Sequence, residues 1–266
     1  MSQTVRVVVS GPLACFTRPE TKVERVSYPV MTPSAARGCL EAIVWKPQFR
    51  WNVLTIRILR PIQFVSVRRN EIQDTISIKD VQGWMEDPSS YKPYFADFQT
   101  LRLEGFKEVR GNRAQRHTLA LRDVAYAVEA EPILPALANK PRNVPVCEDE
   151  SEGPDTVPKY VAMFNRRMEK GQCFQQPYLG LREFVADFRP DDGEQPPSSD
   201  NVLGQAEYPL GRMSLDFEYQ PDSYDAEGAW KKLGGRTPLF ALATLRHGVL
   251  NVQEMRQQAA SVESPR

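Results

Sequence analysis

A helix with two well-marked ends lies close to the start of the sequence. Thr32 and Pro33 are typical of an N-cap and a first helical residue, because proline's fixed φ suits that position and its missing N–H is not needed there. Lys46 precedes a second proline, which disfavours helical backbone before it, so the helix is predicted to end near Trp45. Apolar residues recur between these limits at helical spacing and predict a buried stripe, namely Ala36, Cys39, Leu40 and Ile43.

Strands are predicted on both sides of this helix. Residues 4–10 alternate, with Val5, Val7 and Val9 on one side, until Gly11-Pro12 interrupts them. Residues 51–62 predict a second strand that ends near Pro61, with one face formed by Leu54, Ile56, Ile58 and Ile62. Strand, helix, strand is the opening of a ferredoxin-like unit.

The rest of that unit follows in order. Residues 63–116 predict a hairpin, with short alternating pieces at residues 64–67 and 75–78, and a long excursion that leaves the core. Residues 119–130 predict a long strand that Pro132 ends. Residues 158–171 predict a second helix with Gly171 at its C′ position, and residues 178–188 predict the fourth strand. We therefore predict an α+β, ferredoxin-like (RRM/RAMP) domain.

Composition suggests where this domain ends. Residues 1–190 form the predicted domain with its insertion at 63–116, and the polar residues 191–206 predict a linker. Residues 207–252 predict a small β-rich C-terminal extension, and residues 253–266 a frayed, disordered tail.

The overall charge conceals an uneven distribution. The 266 residues include 34 basic and 34 acidic ones, but the basic residues crowd positions 18–69 and 107–122. A neutral total can thus hide a basic face. The four cysteines have no CxxC spacing, so neither a disulfide scaffold nor a zinc site is expected, and we predict no metal and no other cofactor. Without a secretion signal or an apolar run of membrane-spanning length, the sequence predicts a cytoplasmic protein with no membrane partner.

Three segments have the composition of a nucleic-acid contact. Residues 16–28 interleave cations with two aromatic residues, and residues 110–117 hold three arginines, a glycine and His117. The third is the first turn of the second helix, where Lys159 lies among unpaired backbone N–H groups that favour a phosphate. The first two segments are equally compatible with a solvated loop and a solvated turn.

Three longer blocks carry a family resemblance. Residues 14–47 (ACFTRPETKVERVSYPVMTPSAARGCLEAIVWKP), 60–71 (RPIQFVSVRRNE) and 171–184 (GQCFQQPYLGLREF) resemble the family-five Cas protein of CRISPR subtype I-C, in the RAMP superfamily. The resemblance implies an antiviral-defence endoribonuclease that cuts the repeat of precursor CRISPR RNA. It also implies that the protein stays on the 5′ handle beside the other subunits of the type I-C Cascade.

The resemblance implies an active set from which this chain departs twice. The family has a tyrosine immediately before the WKP run and a Lys-His pair that opens the second helix. Val44 takes the place of that tyrosine and Tyr160 that of the histidine, whereas Lys159 matches. These departures leave open a rival function, a Cascade subunit that binds the 5′ handle without cutting RNA.

The chemistry expected is attack by a ribose 2′-hydroxyl without a metal, which needs a base, an acid and cations for the phosphorane charge. We expect Lys159 to stabilise the phosphate and Tyr160 to transfer a proton, although Tyr160 could equally be a half-buried structural residue. His117 is intrinsically the better base, with a reference pKa of about 6.5. The candidate RNA contacts are Arg18, Lys22, Arg25, Arg37, Lys46, Arg68, Arg69, Arg113 and Arg116.

Overall fold

The protein is described by a computed structural model over residues 3–21, 23–46, 48–73, 75–90, 112–134, 155–219 and 236–263. The strands are β1 (Val5–Ala14), β2 (Arg25–Val26), β3 (Arg50–Ile58), β4 (Phe64–Ile72), β5 (Arg113–Ile133), β6 (Asp187–Pro190), β7 (Tyr208–Tyr219), β8 (Arg236–Arg246) and β9 (Val249–Asn251). The helices are α1 (Pro33–Ile43), α2 (Ile78–Glu86), α3 (Val157–Glu169) and α4 (Val252–Glu263), with a 3₁₀ turn at Pro88–Ser90.

The nine described strands form one sheet in the order β6-β1-β5-β3-β9-β8-β7, with β2 and β4 also paired to β5. The strand β5 organises the sheet, since β1, β3 and β4 are all antiparallel to it and β2 is parallel. A mixed α/β fold dominated by an antiparallel sheet is therefore confirmed.

The first predicted helix is confirmed at its start and is slightly shorter than expected. Thr32 accepts a hydrogen bond from the Ala35 N–H on its side-chain oxygen at 3.3 Å, with Pro33 as the first helical residue. The helix ends at Ile43, and the predicted stripe of Ala36, Cys39, Leu40 and Ile43 is buried.

The predicted face of β3 is partly wrong. A register shift between Val53 and Thr55 moves the inward face by one residue, so Leu54 is half-buried. The residues that point into the core are Trp51, Val53, Ile56 and Ile58.

The predicted limits of β4 and β5 also need correction. The strand β5 begins at Arg113, so residues 113–117 of the basic segment are strand and not the alternative solvated turn. Pro132 does not end β5, because it pairs with Trp51 near the end of the ladder, where a missing N–H costs little. Residues 75–77 are not a strand, and α2 begins at Ile78.

The second helix, α3, matches its prediction closely. Val161, Phe164 and Met168 are buried, and Gly171 adopts φ +62° just past the helix end. The fourth strand is much shorter than predicted, since only Asp187–Pro190 is a strand paired with β1. Residues before it take an irregular path, because Gly180, with φ +85°, passes so close to Cys15 that an added Cβ would lie 2.0 Å from the Cys15 carbonyl oxygen.

Two predictions for the C-terminal part are corrected. Residues 252–263 are not a frayed tail but helix α4, whose Val252 and Met255 are buried and whose Glu254 N–H is capped by the Asn251 side chain at 3.2 Å. The expected C-terminal strands do not form a separate small sheet. They join the main sheet through β9, which pairs with β3. In the expected linker, Leu203 is buried in the same core. No helix among the described residues is long and apolar enough to cross a membrane.

Candidate RNA interface

The basic loop before α1, residues 16–28, is closed by backbone hydrogen bonds between its two ends. The Arg18 N–H donates to the Val26 carbonyl at 2.9 Å, and the Tyr28 N–H donates to the Phe16 carbonyl at 2.8 Å. The Arg18 guanidinium lies 5.1 Å from the centroid of the Tyr28 ring, a cation–π distance. The loop thus holds Arg18 beside an aromatic ring. Lys22 lies outside the described residues.

A cavity of about 480 Å³ opens between this loop and α1, along the helix as far as Glu41. Its volume lies in the range of small-ligand sites. Burial raises the pKa of the Tyr28 phenol, which therefore stays neutral near pH 7. The aromatic, hydroxyl and charged groups that line the cavity include Phe16, Tyr28, Thr32, Ser34, Arg37 and Tyr178. The cavity can accept a planar group with hydrogen-bonding edges.

A second group of cations lies where the basic loop meets the β4–β5 hairpin. Glu71 lies 3.4 Å from Arg25 and 3.1 Å from Arg69, and both arginines also contact Glu183. Partly exposed ion pairs of this kind contribute little stability, so phosphates can replace the carboxylates. Arg116 is the register partner of Arg69, and within the described ranges it has no ion-pair partner.

Arg37 lies at the centre of a buried charge cluster. Asp216, whose side chain is 1% exposed, lies 3.0 Å from Arg37, 3.0 Å from Arg50 and 3.5 Å from Arg256. Burial alone would raise the pKa of Asp216, but Arg37, a backbone N–H and Arg50 outweigh burial and hold this pKa below its ordinary value. Arg37 also pairs with Glu41 at 2.5 Å. The cluster ties α1 to β3, β7 and α4.

Lys159 and Tyr160 share an acceptor at the start of α3. The Lys159 ammonium lies 3.3 Å from Asp155 Oδ1, and the Tyr160 hydroxyl donates to the same oxygen at 2.5 Å. The ring of Tyr160 stacks on Phe49 with centroids 4.2 Å apart, and the residue is 1% exposed. Lys159 keeps 21% of its side chain exposed. An anionic oxygen thus sits at a helix N-terminus beside a cation and a hydroxyl donor.

Asp155 was not anticipated from the sequence, where it stands at the end of an acidic loop. The signal was available, since Asp155 is four residues before Lys159 and immediately precedes the N-cap Thr156. Carboxylates are favoured close to a helix N-terminus.

Val44, at the position of the family tyrosine, is completely buried. Its carbonyl accepts a hydrogen bond from the Trp51 indole N–H at 3.0 Å, and the valine side chain itself carries no titratable group. Lys46 follows two residues later and is half-buried.

His117 is not brought together with Lys159 and Tyr160. His117 is exposed and pairs with Arg68 across the β4–β5 hairpin, and Arg113 lies farther along the same hairpin. Tyr160 packs near the opposite end of β5, because its neighbour Phe49 contacts Trp51, which pairs with Pro132. Fifteen strand residues between positions 117 and 132 correspond to roughly 50 Å of extended chain.

The two basic surfaces anticipated from the sequence both border α1. The cavity extends along α1 from Thr32 to Glu41, whereas Lys159 is linked through Phe49 and Trp51 to Val44, just after the last turn. The 11 residues of α1 span about 16 Å. One nucleic-acid strand could follow this helix from one surface to the other.

Known proteins resemble this chain over almost its whole length. Residues 4–252 match the family Cas_Cas5d, described as CRISPR-associated protein (Cas_Cas5). A Mannheimia succiniciproducens protein named CRISPR pre-crRNA endoribonuclease Cas5d is 40% identical over 253 residues, which cover 95% of this chain and 96% of that protein. A Thermus thermophilus protein of the same name is 38% identical over 260 residues, covering 96% of this chain and 93% of its own length. A solved structure described as a CRISPR-associated protein covers 94% of this chain and 91% of its own, with a TM-score of 0.53 at 19% identity, which shows a likeness of fold alone.

Proposed function

The chain belongs to the CRISPR-associated Cas5 family, and from that premise we propose that it binds and cleaves the repeat of precursor CRISPR RNA. After cleavage the protein stays on the 5′ handle as a subunit of the type I-C Cascade, in the cytoplasm where its substrate is transcribed. Its partners are thus the RNA and the other Cascade subunits.

The observation that carries the proposal is the oxygen held at the start of α3. Asp155 Oδ1 lies 3.3 Å from the Lys159 ammonium and 2.5 Å from the Tyr160 hydroxyl. A phosphate oxygen is anionic like this carboxylate, so a lysine and a helix N-terminus stabilise both. In the proposed complex the scissile phosphate displaces Asp155 and takes its place beside Lys159.

The reaction needs no metal in this proposal. The 2′-hydroxyl loses its proton and attacks the adjacent phosphorus, and the bond to the 5′ oxygen breaks as that oxygen gains a proton. The products are a 2′,3′-cyclic phosphate and a 5′-hydroxyl end. Lys159 stabilises the charge that develops on the phosphorane.

Tyr160 is the proposed proton-transfer group at this site. Its hydroxyl donates to Asp155 Oδ1, so in this proposal Asp155 leaves before the hydroxyl contacts the RNA. His117 lies too far along β5 to act on the same phosphate. We therefore assign His117 to RNA contact on the hairpin and no longer to proton transfer.

The proposed RNA-contacting residues lie on three surfaces. The basic loop and the cavity adjoin the hairpin face that carries Arg69 and Arg116. The opposite, exposed face of the hairpin carries Arg68 and Arg113, and Lys46 lies after the last turn of α1. These contacts are Arg18, Lys22, Arg25, Arg37, Lys46, Arg68, Arg69, Arg113 and Arg116.

The finer fold assignment is part of the same proposal. The strand order β6-β1-β5-β3, with α1 and α3 as the connections, supports a ferredoxin-like unit over residues 1–190 with an insertion at 63–116. Residues 191–206 then lead into the C-terminal extension expected over residues 207–252, to which helix α4 is now added.

A direct test uses the protein with the labelled repeat RNA of its own CRISPR array in EDTA. We expect one discrete cut and a 2′,3′-cyclic phosphate on the upstream product. A repeat with a single 2′-deoxy sugar at the cut should stay intact while it binds with unchanged affinity. Cleavage of the 2′-deoxy RNA, or cleavage only with added metal ions, would contradict the mechanism.

The second candidate function is a 5′-handle-binding subunit without nuclease activity. Two observations favour it, since Val44 offers no titratable group and Tyr160 is 1% exposed. In the same assay this function predicts an intact RNA that is shifted on a native gel.

A further inference from the structure

Two large aromatic side chains are exposed next to one another beside the ends of α1 and α3. Trp45 is 52% exposed and Phe174 is 65% exposed, and their ring centroids are 6.4 Å apart at an interplanar angle of 32°. Single exposed apolar residues are ordinary, but two adjacent aromatic rings form a surface whose burial would be favourable. The pair therefore has the properties of a binding surface.

The backbone beneath the two rings is firmly held. The N–H groups of Phe174 and Gln175 both donate to the Ala42 carbonyl, at 2.8 and 3.0 Å. The Arg167 guanidinium donates to the Ile43 carbonyl at 2.7 Å. These bonds satisfy carbonyls at the end of α1 that lack partners within the helix. The backbone beneath the rings is consequently ordered before a ligand binds, which lowers the entropy cost of binding.

The charges around the rings favour a nucleotide chain over an apolar protein segment. Lys46 follows Trp45 directly, and Arg166 and Lys170 are exposed near the end of α3. Within the described residues 44–46 and 166–176 the one acid is Glu169. The C-terminal ends of two helices meet at the rings themselves, where the helix dipoles disfavour an anion. A neutral base fits over the rings, and its flanking phosphates fit the surrounding cations.

We propose that Trp45 and Phe174 form a stacking platform for an unpaired nucleobase of the bound RNA. The inference rests on the proposed function, because it requires that the protein bind RNA. The centroid distance of 6.4 Å lies within the range of direct aromatic contact, so the two rings form one continuous surface on which a base can stack.

The platform also has a defined place relative to the proposed cleavage site. Arg167, which holds the platform to α1, is eight residues after Lys159, about 12 Å along α3. The stacked base therefore belongs to a nucleotide near the one whose phosphate meets Lys159. Stacking at this point fixes which phosphate reaches the lysine.

Binding of two chains of equal charge, one with bases and one without, distinguishes the contribution of base stacking from that of backbone charge. The first is a twelve-nucleotide oligoadenylate, and the second is an abasic twelve-unit ribose-phosphate chain with the same charge. Dissociation constants are measured for the wild type, Trp45→Ala, Phe174→Ala and Trp45→Phe. Leu242→Ala, which truncates a side chain that is 67% exposed on β8, is the control.

The proposal predicts that each alanine variant binds oligoadenylate about 5- to 150-fold more weakly than the wild type does. Binding of the abasic chain should change by less than about twofold, and Trp45→Phe should recover most of the lost affinity. Equal losses for both RNAs, or losses no larger than that of Leu242→Ala, would overturn the platform and would fit a protein-binding surface. If the wild type binds neither RNA in a salt-dependent way, the RNA-binding function itself fails.

Discussion

The Tyr160 hydroxyl and the Asp155 carboxylate lie 2.5 Å apart, and Lys159 contacts the same carboxylate oxygen at 3.3 Å. The first turn of α3 therefore already holds an anion supplied by the chain itself. RNA must compete with Asp155 for Lys159 if the proposed function is correct. This competition makes Asp155 the most informative position for a test of how the site is occupied.

Asp155→Asn should strengthen RNA binding a few-fold at low salt. The substitution removes the charge that competes with a phosphate, and it keeps an oxygen for the Tyr160 hydroxyl. The gain should shrink as ionic strength rises, because it is electrostatic. Filter-binding titrations with the repeat RNA at two salt concentrations measure both effects, and weaker binding of the variant at low salt would refute the competition.

Asp216→Asn should destabilise the fold by roughly 3–5 kcal/mol, because Arg37, Arg50 and Arg256 would then lie close together around a neutral group. The pKa of Asp216 is lowered in the folded protein, so its contribution is present above the ordinary pKa of about 3.9 and is lost as pH falls through the folded value.

Urea unfolding at several pH values measures this difference. The wild-type advantage over Asp216→Asn should be full near pH 7 and should disappear in strong acid. The control is Glu207→Gln, since Glu207 is exposed and pairs with Arg246 at the surface, and it should cost no more than about 1 kcal/mol. Equal losses of unfolding free energy for the two substitutions would show that the buried cluster contributes no more stability than an exposed ion pair.

Arg116→Ala should reduce the salt dependence of RNA binding by about one unit of slope in log K against log salt concentration. The reason is that each phosphate neutralised by a cation of the protein contributes roughly 0.7–0.9 to this slope, and the variant neutralises one phosphate fewer. Arg246→Ala is a matched control, since Arg246 is exposed and paired with Glu207 and Glu254. An unchanged slope for Arg116→Ala would remove the β4–β5 hairpin from the interface.

Val44→Tyr should not restore the family's tyrosine as a working group. Val44 is fully buried, so a larger side chain overpacks the core at a cost of about 1–3 kcal/mol. We expect a lower melting temperature and no faster cleavage. A variant that is as stable as the wild type and cuts faster would show that Val44 merely lacks a catalytic tyrosine that the site can still accommodate.

The sequence predicted those features whose causes are local. The N-cap Thr32, the proline after it and the left-handed Gly171 determine helix ends through their own backbone preferences, and all three were correctly anticipated. The stripe of Val161, Phe164 and Met168 was also correct, because it depends only on helical periodicity.

Features that depend on distant partners were missed. The register shift at Val53 and Thr55 is produced by pairing with β5, and α4 is stabilised by residues buried under the extended sheet. Trp45 and Phe174 are more than a hundred residues apart in the sequence, so nothing local indicates that their rings meet. Asp155 could have been found, since it immediately precedes the N-cap of α3, where a carboxylate is favoured.

The central claim is that Lys159 stabilises the scissile phosphate, and single-turnover cleavage of the repeat RNA by Lys159→Ala tests it most directly. Loss of a charge-stabilising group should lower the cleavage rate by about 10²- to 10³-fold, while the dissociation constant changes by less than about tenfold. The control variant Lys79→Ala, on the exposed helix α2, should cleave like the wild type. Wild-type cleavage by Lys159→Ala would contradict the account.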